Sequence, residues 1–320
     1  MAIQVAPPPR TGMSRKARES LTGWLFITPT LIIFGLFTFG AMIYAFVISF
    51  TDLGLFNQPK FVGFDTYGKV LNIPKSGILD NLFYKALGNT LIFSVVVVFF
   101  QTWLAIIFAV ILNSKIRFRN FFRVTWYLPS VTASVVISLI FFWMYKQQGI
   151  INAVITWVSE HTVGALFGVH YQTIAFLDDT STALPSIMAM NIFTTVPTFM
   201  VMFLAALQDI PPEVYEAAKL DGASTTRTFW SITLPLLRPI IFLVTVLGTI
   251  GTLQVFDQVY LMTNEGGPLG ATTTVAYLIY HEAFKDNHLA RSAAIGFILF
   301  IIIFLFFLVQ RRFLDKDATA

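Results

Sequence analysis

Six stretches of this chain contain no Asp, Glu, Lys or Arg, and each of them is 18 to 32 residues long. A helix needs about 20 apolar residues to cross the roughly 30 Å of hydrocarbon in a bilayer. Backbone N–H and C=O groups cannot stay unpaired in lipid, so runs of this length predict helices rather than the shorter, alternating strands of a barrel. The fold class predicted here is therefore an all-α integral membrane protein with six transmembrane helices. The runs are residues 20–51, 86–114, 124–145, 180–208, 239–256 and 292–310.

The composition supports a chain whose main solvent is lipid. Apolar residues make up 56% of it and charged residues 12%, with a mean hydropathy of +0.73. Soluble domains average about 45–50% apolar and about 25% charged residues. A water-soluble globule is thereby excluded, and the absence of cysteine excludes disulfides, thiolate metal sites and cysteine nucleophiles.

The positive charges lie mostly in alternate connecting segments. Fourteen of the 21 Lys and Arg residues lie in the N-terminal tail, the 113–123 and 209–238 loops, and the C-terminal tail. Cytoplasmic loops carry such an excess, which predicts a multi-pass protein of the cytoplasmic (inner) membrane with both termini in the cytoplasm. The net charge of +4 is explained by this topology, so membrane lipid is an expected partner and nucleic acid is not.

The expected organisation follows from the runs and loops. The first run is too long for a signal-peptide core and is predicted to remain as a membrane anchor. The uncharged run at 147–158 has only 12 residues and is placed at the surface. The predicted units are a cytoplasmic tail (1–20), a first transmembrane helix (21–50), an extracytoplasmic segment (51–85), a five-helix core (86–310) with a cytoplasmic loop at 209–238, and a second cytoplasmic tail (311–320).

Several kinds of chemistry are missing from the sequence. It contains neither a phosphate-binding G-x-x-x-x-G-K-[ST] loop nor a dinucleotide G-x-G-x-x-G fingerprint, so no nucleotide cofactor is expected in this chain. His281 and Glu282 begin like a zinc helix, but the next histidine, His288, is seven residues on rather than four, so no metal is expected and both histidines are predicted in exposed loops. No run has an ionisable residue at its middle, which argues against an ion-driven secondary carrier and a membrane-embedded enzyme.

The 209–238 loop contains the strongest local signals. The prolines at 211–212 suit a first helical turn, Glu213 and Glu216 favour the positive end of a helix, and Gly222 can adopt the left-handed conformation that ends one. These features predict a short helix at 213–221. An amphipathic helix lying on lipid would usually be rich in Lys and Arg, whereas this segment is acidic, which favours docking to a protein partner.

The same loop carries a complete motif. Glu216-Ala217-Ala218, Gly222, Ile232 and Leu234-Pro235 match E-A-A-x3-G-x9-I-x-L-P. By this motif the chain is identified as a member of the permeases of binding-protein-dependent importers of the ATP-binding cassette (ABC) superfamily. It resembles the first of the two permeases in the maltose and glycerol-3-phosphate type. Other matching segments are 61–67, Asn89-Thr90, Leu128-Pro129, 149–152 and 266–268 with 272–274; the departures are Thr66 in place of the usual Asn and one extra residue between Thr263 and Pro268.

The resemblance implies a type I importer architecture and a set of partners. These are a second permease, two ATPase subunits that bind ATP and Mg²⁺, and an extracytoplasmic solute-binding protein. The short helix would then be the coupling helix, seated in a cleft of one ATPase. The residues that the resemblance assigns to coupling are Glu213, Glu216, Ala217, Ala218, Asp221 and Gly222.

The fourth run contains a polar stripe that could line a pathway. Asn191, Thr194, Thr195 and Thr198 share one helical face. Such residues can bind a neutral polyol, and they can equally hydrogen bond neighbouring helices. The resemblance favours a pathway, because maltose-type permeases bind sugar in the equivalent span; Gly248, Thr252 and Gln254 are added from the fifth run by the same logic. The expected cargo is a neutral mono- or oligosaccharide, since no run contains a basic residue; the alternatives are glycerol-3-phosphate or an anionic oligosaccharide.

Overall fold

The computed structural model describes residues 15–54, 58–72, 81–114, 117–162, 171–263 and 266–314. Within these ranges the chain is helical apart from short connections and one isolated bridge between Thr51 and Phe61. Two π-helical segments, Phe34–Gly40 and Phe229–Thr233, interrupt otherwise α-helical stretches. In chain order the α-helices are α1 (Arg15–Ile33), α2 (Ala41–Ile48), α3 (Asp65–Val70), α4 (Leu82–Asn113), α5 (Arg119–Val131), α6 (Ser134–Met144), α7 (Ile150–His161), α8 (Ala183–Gln208), α9 (Pro212–Leu220), α10 (Thr225–Thr228), α11 (Leu234–Leu236), α12 (Arg238–Leu253), α13 (Asp257–Met262), α14 (Val275–Phe284) and α15 (Leu289–Leu314).

Helices α4 and α8 form the centre of the molecule. Both are long and apolar enough to cross a membrane, and they make the most extensive helix pair in the described chain. Their contact contains fully buried side chains such as Ile106, Met200 and Phe203. Helix α12 packs on α4 and α15, so four of the predicted runs meet in one bundle.

The first predicted span is continuous but lies apart from this bundle. Helix α1, the π-helical segment and α2 run together from Arg15 to Ile48, and none of the residues in their most apolar window is buried. Contact with the bundle comes from α2, which packs on α15. The first half of the span therefore leaves its apolar surface open to lipid or to another subunit.

The segment after the first span folds back on it. Thr66 Oγ1 donates a 2.8 Å hydrogen bond to the carbonyl oxygen of Thr51, and Thr66 itself is buried. The side chain that departs from the family motif thus acts as a hydrogen-bond donor within the fold. Residues 264–265, where the extra residue of the second departure falls, lie outside the described residues.

Two of the spans are bent pairs of helices. The third run contains α5 and α6, which meet at an angle of 97° across Thr132 and Ala133. Just before the fifth run, the segment Thr225–Leu236 meets α12 at 67°, and α12 ends at Leu253 rather than continuing to Phe256. Four spans are unbroken, and the count reaches six when each bent pair is taken as one span. The predicted fold class is confirmed, and the bend between α5 and α6 is the one that falls inside a predicted run of the described chain.

The prediction that both histidines lie in exposed loops is half right. His288 is exposed in the turn between α14 and α15, but His281 is half-buried within α14. His281 Nδ1 lies 3.1 Å from Asp286 Oδ2, and His288 Nδ1 lies 3.1 Å from Glu282 Oε2. Glu282 also faces the guanidinium of Arg291, so this cluster is held together by internal ion pairs.

Candidate coupling helix and translocation surface

Helix α9 begins and ends with the local signals that predicted it. Pro212 occupies its first position, where the missing N–H costs nothing. Gly222 has a φ of +73° and ends the helix in a Schellman motif: the Ala223 N–H donates to the Ala218 carbonyl at 2.9 Å, and the Gly222 N–H donates to Lys219 at 3.0 Å. A residue with a Cβ would be strained in this conformation, so glycine is needed for the abrupt stop.

The inner face of α9 packs on its own chain. Val214 and Tyr215 are half-buried, and Ala218 is only 5% exposed. Thr233 Oγ1 donates to Tyr215 Oη at 3.4 Å and ties the helix to the segment that returns to the membrane. Ala218, which the resemblance assigns to coupling, thus has its methyl group on the inner face, and its coupling role stays a prediction.

The opposite side of α9 is free. Glu213, Glu216, Ala217 and Leu220 are exposed and follow the i, i+3, i+4, i+7 spacing of one helical face. Leu220 is 90% exposed, an unusual position for a leucine in a short, well-capped helix. This surface, called here the outer face of α9, is small, acidic at one end and apolar at the other. Asp221 and Gly222 are exposed at its C-terminal end.

Polar side chains pair backbone oxygens at the break between α5 and α6. Ser130 Oγ donates to the Tyr127 carbonyl at 2.8 Å, and Thr132 Oγ1 donates to the Leu128 carbonyl at 3.1 Å. These hydroxyl groups pair backbone oxygens near the end of α5, which a break in lipid would otherwise leave unsatisfied. Discontinuous helices in transporters occur where the backbone lines a cavity.

Two clefts open beside this break. They share Ser134 at the start of α6 and Gln258 in α13, so they form one continuous polar surface. The first, called here the Asn191 cleft, is about 200 Å³ and is lined by Ser134, Asn191, Gly251, Gln254, Phe256, Asp257 and Gln258. The second, called here the Thr198 cleft, is about 250 Å³ and is lined by Pro129, Ser130, Thr132, Ser134, Ile137, Thr194, Thr195, Thr198, Phe199 and Gln258.

Asn191 is the most informative side chain of the first cleft. It is 7% exposed, and its Nδ2 donates to Gln258 Oε1 at 2.9 Å. Its Oδ1 is buried and accepts no hydrogen bond in the described structure. A buried acceptor without a partner is costly and uncommon. An acceptor in this position suits a hydroxyl group of a bound molecule.

The three threonines of the predicted stripe all reach the Thr198 cleft. Thr198 is exposed, while Thr194 and Thr195 are half-buried, each with its Oγ1 within 3.0 Å of the Asn191 carbonyl oxygen. Thr195 Oγ1 also lies 2.8 Å from Oε1 of Gln101, a fully buried residue of α4. The structure therefore brings the stripe together on one surface, with Thr195 also joining two helices.

The residues predicted from the fifth run divide into two groups. Gln254 is exposed and lines the Asn191 cleft. Gly248 and Thr252 are instead buried against α4: Thr252 Oγ1 lies 2.8 Å from Ser94 Oγ, and Gly248 lies directly under the side-chain amide of Gln101. Neither residue lines the two clefts in this conformation, where both join helices instead, and their place on the pathway stays a prediction.

Sequence reasoning missed Gln101, Ser134, Asp257 and Gln258. Gln101 and Gln258 had a usable signal, since an amide inside or next to an apolar run needs a partner. Asp257 provides the only charge among the described residues that line the two clefts, and no Lys, Arg or His lines either of them. The surface can therefore donate and accept hydrogen bonds but holds no cation for an anionic ligand.

A larger cleft of about 550 Å³ lies on another side of the bundle, between α4, α12 and α15. Its walls are mainly hydrocarbon, with Trp103 and Trp230 in contact at 5.9 Å between ring centroids. It lacks the density of neutral polar groups found beside the α5–α6 break.

Comparison with known proteins places the chain in a family. Residues 101–316 match the family described as binding-protein-dependent transport system inner membrane component. The multiple sugar-binding transport system permease protein MsmF of Streptococcus mutans is 34% identical over 303 residues, covering 94% of this chain and 98% of the relative. The lactose transport system permease protein LacF of Rhizobium radiobacter is 34% identical, covering 85% of this chain and 86% of the relative. The trehalose/maltose transport system permease protein MalF of Thermococcus litoralis is 31% identical, covering 93% of this chain and 95% of the relative.

A solved structure shares the fold. One chain of a bacterial ABC transporter involved in the import of the acidic polysaccharide alginate aligns with a TM-score of 0.75, covering 95% of this chain and 99% of that chain at 22% sequence identity. These matches confirm the resemblance that the loop motif predicted. The chain belongs to the binding-protein-dependent transport system inner membrane component family, as a permease of the sugar-importer type.

Proposed function

We propose that this chain is one of two permeases that together form the pathway of an ATP-driven importer for a neutral mono- or oligosaccharide. A solute-binding protein would deliver the sugar from outside, and two ATPase subunits would bind ATP and Mg²⁺ below. The single observation that carries the cargo assignment is the composition of the two clefts. They combine neutral donors and acceptors with the aromatic rings of Phe199 and Phe256 and contain one carboxylate but no cation among the described lining residues.

Neutral sugars need this combination. Each hydroxyl group both donates and accepts, so amide and hydroxyl side chains can satisfy it, while an aromatic ring covers the apolar face of a pyranose. A phosphate or uronate would instead call for an Arg or Lys partner. The names of the relatives point in the same direction, since they describe transport of multiple sugars, lactose and trehalose or maltose. The alginate importer supports the fold alone, because its sequence identity is only 22%.

The outer face of α9 supports the proposed link to an ATPase subunit. An exposed apolar side chain, Leu220, on the same helical face as the carboxylates of Glu213 and Glu216 is a surface that a cleft of another protein can cover. ATP-driven closure of the ATPase pair would move α9 and, through it, the spans on either side. Six crossings would place the start of α1 and the end of α15 on the same side as α9, which is the cytoplasm in this proposal.

The assembly supplies a direct test of the cargo. The intact importer would be purified with its solute-binding protein, and ATP hydrolysis would be recorded with neutral and with anionic sugars present. We expect stimulation by a neutral sugar that the binding protein holds tightly. Stimulation by anionic ligands alone would overturn the neutral assignment while leaving the importer assignment intact.

The proposed coupling between α9 and the ATPase subunits can be tested separately. Replacing Glu216, or Gly222 with a branched residue, should abolish the stimulated ATP hydrolysis while the helix content of the membrane subunit stays the same. Unaltered sugar uptake in either variant would remove the coupling assignment. Sugar transport in vesicles that contain this chain alone would support a secondary carrier instead.

A further inference from the structure

Another polar cavity, called here the outer cavity, lies at the end of the bundle opposite α9. It has a volume of about 560 Å³, a size typical of ligand pockets, and its lining includes Leu177 and Asp178, shortly before the start of α8. Helix α9 follows the other end of α8, whose 26 residues span about 39 Å at 1.5 Å per residue. The outer cavity and α9 are therefore about one membrane thickness apart.

The lining of the outer cavity combines two opposite charges with an aromatic ring. Half-buried Lys146, just after α6, holds its Nζ 4.2 Å from the centroid of the Phe142 ring, and Asp178 is exposed. These two charges cancel, and the other described lining residues are uncharged. An ammonium group donates hydrogen bonds and a carboxylate accepts them, so the pair can satisfy sugar hydroxyl groups, which do both.

An aromatic cluster connects the outer cavity to the Asn191 cleft. Tyr260 of α13 lines the outer cavity, and its ring stacks on that of Phe256 with 5.5 Å between centroids and 21° between planes. Phe256 lines the Asn191 cleft. Tyr280 of α14 contacts both rings, at 5.2 Å from Phe256 and 5.3 Å from Tyr260. The cluster thus presents one ring to each of the two spaces.

The rings lie on the open side of α13. Val259 and Met262 make the core contact of this helix and are 0% and 1% exposed. Tyr260, between them in sequence, keeps 39% of its surface exposed, and Phe256 and Tyr280 are half-buried. Packing of α13 is therefore provided by its aliphatic side, and the Tyr260 ring remains accessible to a ligand.

We propose that the outer cavity is an entry subsite, where a neutral sugar released by the solute-binding protein is held before it reaches the Asn191 cleft. This inference rests on the proposed function. The Tyr260 ring covers the apolar face of a pyranose, while Lys146 and Asp178 hydrogen bond its hydroxyl groups. Phe256 then offers the next ring, so the sugar keeps an aromatic contact as it moves inward.

The ring of Tyr260 can be tested in the complete importer. The importer would be reconstituted in vesicles with its solute-binding protein, and sugar uptake and ATP hydrolysis would be measured in the same sample. Sugar that is not held at the entry escapes outward after ATP has been used. For Tyr260→Leu, which removes the ring, we therefore expect the number of sugars imported per ATP to fall about fivefold.

Two further variants make this result specific. Tyr260→Phe keeps the ring and should retain at least about half of the wild-type ratio of sugar to ATP. Tyr44→Leu is the matched control, because Tyr44 is 63% exposed on α2 and lines neither space, and it should keep the wild-type ratio. A wild-type ratio in Tyr260→Leu would overturn the subsite, and so would a ratio in Tyr260→Phe as low as in Tyr260→Leu. Wild-type vesicles that import no neutral sugar would overturn the proposed function itself.

The absence of cysteine from this chain allows a direct measurement of occupancy. Leu261→Cys places a thiol in the lining of the outer cavity, and Thr180→Cys places one on the exposed turn before α8, outside the lining. Each would be labelled with a maleimide in the complete importer, with and without saturating sugar. We expect sugar to slow labelling at 261 by at least about threefold and to leave labelling at 180 unchanged. Equal slowing at both positions would indicate a protein cover, and no slowing at 261 an empty cavity; either result would overturn the proposal.

Discussion

The outer face of α9 and the polar surface beside the α5–α6 break are assembled in opposite ways. The outer face comes from eight consecutive positions, Glu213 to Leu220, and its helix is started and stopped by residues within the same loop. The polar surface collects side chains from α5, α6, α8, α12 and α13 and the turns between them. A docking surface can thus be local and self-contained, whereas a pathway surface exists only when the bundle has formed.

The two regions also differ in what they leave unsatisfied. The outer face exposes an apolar side chain, Leu220, to solvent and lacks a cover. The polar surface buries an acceptor, Asn191 Oδ1, and lacks a donor. In the proposed function, a folded protein surface would fill the first deficiency and a single hydroxyl group the second, so substitutions should separate assembly from transport.

The largest effect is expected at Leu220. Leu220→Asp replaces a side chain whose burial contributes about 1.5–3 kcal/mol and puts a charge in its place, so affinity for the ATPase subunit should fall by more than about tenfold. The fraction of ATPase subunits that stays with the permease during size-exclusion chromatography measures this loss of affinity. Leu269→Asp is the control, because Leu269 is 86% exposed in the turn before α14. Full ATPase retention by Leu220→Asp would show that the outer face does not dock.

The next effect is expected at Asn191. Asn191→Ala removes the free acceptor and leaves Gln258 Oε1 without its donor. Losing these hydrogen bonds costs about 1–2 kcal/mol, so kcat/KM for uptake should fall by about 5- to 30-fold. ATPase retention should not change. Ser186→Ala is the control on the same helix, since Ser186 Oγ bonds the Thr182 carbonyl one turn away. Equal uptake by Asn191→Ala and wild type would remove Asn191 from the pathway.

An effect on stability rather than on transport is expected where α4 meets α12. A Cβ added at Gly248 would collide with the side-chain amide of Gln101, so Gly248→Ala should lower the free energy of unfolding by about 1–3 kcal/mol. Combining it with Gln101→Ala should recover part of the loss in a thermal unfolding assay of the importer. Gly296→Ala is the control, because its new methyl group would meet only Ile279 Cδ1 at 3.9 Å. A double variant less stable than Gly248→Ala alone would contradict the contact.

The smallest effect is expected at Thr252. Thr252→Val removes the hydrogen bond to Ser94, and buried hydrogen bonds between membrane helices contribute about 0.6 kcal/mol. The thermal midpoint should fall slightly while the KM for uptake stays at the wild-type value. A raised KM with an unchanged midpoint would return Thr252 to the pathway surface.

The bounds of α9 could be predicted from the sequence, whereas the break between α5 and α6 could not be predicted from hydropathy. The bounds of α9 follow from Pro212 and Gly222 because caps act within a few residues. The break in the third run does not follow from hydropathy, since α5 and α6 are bent apart within one uncharged run. The available signal was chemical: Ser130 and Thr132 beside Pro129 supply the hydroxyl groups that pair the carbonyl oxygens near the break.

The division of the predicted pathway residues has a similar explanation. Helical spacing places Asn191, Thr194, Thr195 and Thr198 on one face, and these residues do line the two adjoining clefts. It does not say which neighbour a face meets, so Thr252 and Gln254 could not be separated before the contact between α4 and α12 was known. The rotation of one helix against another is a tertiary property.

The 67° bend at Leu237 joins two helical segments that would act as a lever in the proposed importer. Leu237 is 1% exposed among core side chains and forms the pivot; Thr225–Leu236 forms one arm of about 18 Å, and the 16 residues of α12 form the other, of about 24 Å. If the arms turn as one body, about 3 Å of travel at the motor end becomes about 4 Å at Leu253 by their ratio. Gln254 is the next residue after Leu253 and lines the Asn191 cleft. In the proposed importer, a movement of the ATPase subunits and a change in the shape of this cleft would therefore be parts of one rotation.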